Sequence, residues 1–83
     1  MDVKKLYVHS TKNRSAIEIS KKCGCFHCCN IFDAKKVKEY TEEMDGSETG
    51  ICPLCSVDTL IPDSSVPTLT VEILNLMCDE YVS

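Results

Sequence analysis

The chain of 83 residues has no tryptophan, three glycines, three prolines and two histidines. Each shortage narrows what it can be. Three scattered glycines leave no phosphate-cradling loop, and no GxSxG nucleophile elbow is present. His9 and His27 alone leave little for acid–base chemistry or for a metal site with an open coordination position. No apolar run approaches the roughly 20 residues of a membrane span. The N-terminus, Met1-Asp2-Val3-Lys4-Lys5-Leu6-Tyr7, lacks the apolar stretch of an export signal. A cytoplasmic, reduced, non-catalytic protein with no membrane association is expected.

Basic residues are missing from the whole second half. Residues 1–38 carry nine bases against Asp2, Glu18 and Asp33, a net of +6. Residues 39–83 carry ten acids and no base, a net of −10, for −4 overall. Such asymmetry bears on partners, unless the two halves fold against each other and their fields largely cancel.

Cysteine, in contrast, is abundant: seven in a chain too short for a large core. Cys25-Phe26-His27-Cys28 and Cys52-Pro53-Leu54-Cys55 are two pairs with two intervening residues each, 23 residues apart. That spacing lets a tight knuckle aim both sulfurs at one ion, and two knuckles close a tetrahedral site. Cys25, Cys28, Cys52 and Cys55 are the expected ligands of one zinc ion, with iron as the lesser candidate. Thiolates suit the role because the ion drives their deprotonation at neutral pH. Cys23 and Cys29 crowd the first pair, so Cys23 with Cys28, or Cys25 with Cys29, are alternative pairings. As spare thiols they read as small buried hydrophobes, as oxidisable groups, or as parts of a second site with Cys78 or His9. His27, between two ligands, is expected to face solvent.

The fold class expected is a single small α+β zinc-binding domain over residues 1–83. It has two Cys knuckles of zinc-ribbon or treble-clef type, about three helices and a short hairpin. Leu6-Tyr7-Val8 reads as an extended run. A first helix starts at Ser10 or Thr11 and reaches about Lys21. Asp33 as N-cap, Phe32 stapled onto Val37, and the Val37, Tyr40, Met44 stripe predict a second helix over 34–44, stopped by Gly46. Thr49-Gly50-Ile51 and Val57-Asp58-Thr59-Leu60-Ile61 flank the second knuckle and are expected to pair across the metal. Residues 62–67 are a loop. Thr70 caps a last helix that is apolar over most of its circumference through Val71, Ile73, Leu74, Leu76, Met77, Tyr81 and Val82.

The stretch Ser20-Lys21-Lys22-Cys23-Gly24-Cys25-Phe26-His27-Cys28, with Ile31-Phe32, Cys52-Pro53-Leu54-Cys55 and Asp58, resembles a family of small bacterial and phage-type cytoplasmic proteins of unknown function. Their pattern is CGCFxC…IF…CPxCGxDSxI, followed by a Pro-containing turn and a C-terminal helix, and the likeness covers roughly residues 9–82. It implies a zinc-finger-like domain and carries no activity with it. The chain departs at Ser56, where that family tends to have glycine, which implies strain in a left-handed turn. The knuckles also resemble rubredoxin, which implies iron and one-electron transfer. Here Cys29 and Ser56 stand at the knuckle glycines and tryptophan is lacking. A third likeness, to treble-clef nucleases of the His-Asn-His kind, implies only a scaffold, because no histidine follows the second pair.

The function expected is a zinc-stabilised protein-interaction or regulatory module without catalysis. It would meet a protein partner or a second copy through the apolar C-terminal helix. One alternative is nucleic-acid binding through Lys4, Lys5, Lys12, Arg14, Lys21, Lys22, Lys35, Lys36 and Lys38. The other is a rubredoxin-like electron carrier.

Overall fold

In the computed structural model, which describes residues 3–82, the chain begins with a helix where the sequence pointed to an extended run. α1 (Val3–Tyr7) passes directly into a 3-10 turn, Val8–Ser10. The Ser10 hydroxyl donates to the Tyr7 carbonyl at 2.7 Å. Val3 and Leu6 are one turn apart and pack on the same C-terminal core, a helical spacing rather than an alternating one.

α2 (Arg14–Glu18) is shorter than expected, with Ile17 buried. Neither Ser10 nor Thr11 caps it. Asn13 occupies the cap position, where its carbonyl accepts from Ile17 N–H at 2.8 Å but its side chain does not bond to the helix. Its amide instead joins three segments: it donates to the carbonyls of His9 and Leu60, both at 3.0 Å, and accepts from Gly50 N–H at 2.9 Å. A buried amide so engaged satisfies backbone groups that no strand pairs.

β1 (Lys22–Cys25) is the middle of a three-stranded antiparallel sheet, between β2 (Ile31–Asp33) and β5 (Leu60–Pro62). Cys23 faces Phe32 on one side and Pro62 on the other, and Cys25 pairs with Leu60. The pleat sends alternate residues to opposite faces. Cys23, Cys25 and Leu60 join one core with Ile17, Phe32, Val37 and Cys52. On the other face Ile61 joins Phe26, Val66, Ile73, Leu74 and Met77. Gly24 leaves room there for Leu74, whose Cδ1 would stand 2.9 Å from any Cβ at that position.

The helix over 34–44 does not form. Asp33 does cap, accepting from Lys35 N–H at 2.9 Å, and Phe32 and Val37 do share a core. The turn that follows is only the 3-10 segment Ala34–Lys36, after which Val37 is extended. β3 (Tyr40–Glu42) then pairs with β4 (Glu48–Gly50) as a hairpin. Met44, which would complete the apolar stripe, is fully exposed at 108%. Gly46 stops no helix; with φ +88 it turns the hairpin beside Asp45. Asp-Gly is a turn signal as well as a helix stop, and strand pairing decides between the two.

The flanks of the second knuckle do not pair with each other. β4 belongs to the β3 hairpin, whereas β5 crosses to β1. α3 (Val71–Tyr81) is as expected, with Thr70 Oγ1 accepting from Ile73 N–H at 3.3 Å. Its Ile73, Leu74 and Met77 are buried, while Val71 and Leu76 are about half exposed. The molecule is thus a small α+β protein with, among the described residues, three α-helices and antiparallel strands. Its oppositely charged halves meet in ion pairs, Lys12–Asp45 at 3.0 Å and Arg14–Glu48 at 2.8 Å.

Candidate metal centre

Both cysteine pairs fold by one local pattern. In the first, Cys25 N–H donates to the Asn30 carbonyl at 3.0 Å and Cys29 N–H to the Cys25 carbonyl at 2.7 Å. In the second, Cys52 N–H donates to the Val57 carbonyl and Ser56 N–H to the Cys52 carbonyl, both at 2.9 Å. The residue after each pair is left-handed, Cys29 at φ 59 and Ser56 at φ 63. Absence of glycine therefore does not prevent the turn; a non-glycine residue accepts its strain at both places.

The two knuckles face each other. Cys25 Sγ lies 3.6 Å from Cys55 Sγ, and Cys28 Sγ lies 3.8 Å from Cys52 Sγ. All four sulfurs lie within 4.8 Å of one another. A tetrahedral ion with metal–sulfur bonds of about 2.3 Å requires sulfur–sulfur edges of about 3.8 Å. The expected ligands Cys25, Cys28, Cys52 and Cys55 are thus brought together, and they can hold a metal ion. Cys25 and Cys52 are buried; Cys28 and Cys55 are half-buried.

Hydrogen bonds prepare the sulfurs for negative charge. Cys28 N–H points at Cys25 Sγ at 3.5 Å, and Leu54 N–H at Cys52 Sγ at 3.4 Å. The buried Thr59 hydroxyl lies 3.0 Å from Cys25 Sγ. Burial pushes the Cys25 and Cys55 thiols up, against the pull of these and neighbouring donors. At Cys28 burial also acts upward, but hydrogen bonds from Asn30 and from the Cys25 and Cys52 thiols outweigh it and hold the group at about 7. A cation entering this site displaces protons from thiols that burial keeps protonated.

The alternative pairings are not used. Cys23 lies in the core on β1, its thiol pushed up to about 12 by burial. Cys29 turns away to the other core, where its thiol interacts with Cys78. Among the described residues no second group of three ligands comes together, with Cys78 and His9 or otherwise. His27 is exposed, whereas Phe26 beside it is buried and anchors the second core. Thr59 and Asn30 escaped the sequence reading. Their closeness to the ligands depends on β5 crossing to β1 and on the turn after Cys28, which spacing alone does not encode.

The chain matches no family model, no curated protein and no solved structure. Among the described residues no helix is long and apolar enough to cross a membrane. The class defined by fold and site is a small α+β protein with a tetracysteine cluster able to hold a metal ion.

Proposed function

We propose that the chain is a zinc-stabilised protein-interaction or regulatory module without catalytic activity. The observation that carries this reading is the set of four cysteine sulfurs lying within 4.8 Å of one another, two of their separations at 3.6 Å and 3.8 Å. Four thiolates fill the coordination of zinc and leave no position for a reacting water, the mark of a structural site. A metal that contributes on the order of 10 kcal/mol gives so small a chain a fixed fold, and leaves its surface for recognition.

An iron-bound electron carrier is the second reading. The left-handed knuckle turns and the N–H groups aimed at Cys25 and Cys52 favour it, since such bonds tune an iron–thiolate potential. Nucleic-acid binding is less well supported. The one arginine, Arg14, is already engaged by Glu48 and Glu18, and Lys12 by Asp45.

Native mass spectrometry of the protein as isolated decides the metal. One zinc per chain is expected; a red protein holding iron overturns the zinc reading in favour of the carrier. Cys52→Ser is expected to lose both metal and fold, and an unchanged melting curve would refute a structural role.

A further inference from the structure

Three of the five aromatic rings meet at one place beside the first knuckle. Tyr7 and Tyr81 are 4.3 Å apart between centroids, and Phe26 lies 6.0 Å and 6.1 Å from them. Phe26 is buried as a floor, while Tyr7 and Tyr81 remain 41% and 36% exposed. These rings line an open cleft of about 390 Å³, whose lining also includes His27, Asp58 and Val82. Among the described residues the Asp58 carboxylate has no hydrogen-bond or ion-pair partner. Burying ring surface in a core stabilises a fold; leaving two tyrosines half exposed beside an unpaired carboxylate does not.

We propose that this cleft is a binding site for an arginine side chain presented by a basic protein segment. The inference rests on the protein-interaction reading and names the chemistry of its partner. A guanidinium is flat, weakly hydrated and permanently charged, so it can lie on a tyrosine face while its N–H fork meets a carboxylate. Lysine offers a point charge without the plane, and matches the rings less well. Asp58 is the one acid that lines the cleft, and Glu80 precedes Tyr81 at the end of α3, while Lys4 and Lys5 stand on α1 with Tyr7. Phosphate backbones meet the wrong sign of charge here. Tyrosine and arginine are the residues that most often anchor an interface, which suits a two-tyrosine cleft.

The test uses metal-loaded protein labelled with nitrogen-15 and titrated with short arginine-rich, lysine-rich and glutamate-rich peptides. Amide shifts are expected at Tyr7, His27, Asp58 and Tyr81, with the arginine peptide the tightest. Asp58→Asn and Tyr81→Ala are each expected to weaken it about tenfold, the size of one desolvated cation–π or ion-pair contact. Glu42→Gln, on the β3 hairpin, is expected to leave it unchanged. Three outcomes overturn the proposal: no shifts, shifts spread over all acidic surfaces with equal loss in Glu42→Gln, or self-association through the cleft in place of peptide binding. Metal content and spectral dispersion are read from the same samples, so failure of the metal reading shows separately.

Discussion

At Cys25 the chain concentrates more partners than spacing alone would supply: the Cys28 N–H, the Thr59 hydroxyl and, 3.6 Å away, Cys55 Sγ. Protons and metal compete for these sulfurs. Cys28 is held at about 7, and burial raises Cys25 and Cys55 above the ordinary thiol value, so metal entry near neutral pH must release more than one proton. Affinity therefore falls as pH falls, by more than about tenfold per pH unit below 7. A chelator-competition titration between pH 5.5 and 7.5, a window set by that Cys28 value, checks the slope. The turn residues offer a second test. Ser56 is exposed and left-handed, so Ser56→Gly is expected to stabilise the loaded protein by about 1 kcal/mol, roughly 4–8 °C in melting temperature. A lower melting temperature would show that the serine side chain contributes more than its backbone strain costs.

Between residues and the whole, the elements divide by how local their causes are. The knuckles were legible because their hydrogen bonds close within five or six residues, and the cysteine spacing reports them directly. α3 was legible for the same reason: Thr70 caps it and its buried residues recur at 3.6-residue spacing. The 34–44 segment was not. Asp33, Phe32 and Val37 play the parts assigned to them, but whether the chain after Val37 coils or extends depends on β4, and β4 depends on what lies above it. That neighbour is α2, whose Ile17 Cδ1 would stand 2.5 Å from a Cβ at position 50. Gly50→Ala is expected to force the buried Ile17 side chain aside and destabilise the fold by about 1 kcal/mol. Denaturant melts check this, and a midpoint equal to that of the parent would refute the close packing.

Across the whole molecule, two cores lie on opposite faces of the β2-β1-β5 sheet, and the four clustered cysteines belong to or pack on one of them. Cys25 and Cys52 are buried members of that core and Cys28 and Cys55 pack against it, so without a metal four thiols crowd together with no cation to hold them. Chelation is expected to abolish the cooperative thermal transition, and re-addition of zinc to restore it, as followed by circular dichroism. A metal-free protein that still melts cooperatively at the same temperature would show that the second core folds the chain alone. The same architecture brings Tyr7, Phe26, Asp58 and Tyr81 from four separated segments to one cleft.

The sequence by itself determined the two knuckles with paired cysteines, the caps at Asp33 and Thr70, and the small α+β character. All are set within a few residues along the chain or by the count of soft ligands. Only the tertiary structure decided that β5 crosses to β1, that residues 40–50 form a hairpin, that Asn13 ties three segments together, and that Thr59 reaches Cys25. Strand pairing and buried side-chain bonds join residues tens of positions apart. Their partners are chosen by which arrangement buries the most apolar surface with every polar group satisfied, a property of the whole chain and not of any window along it.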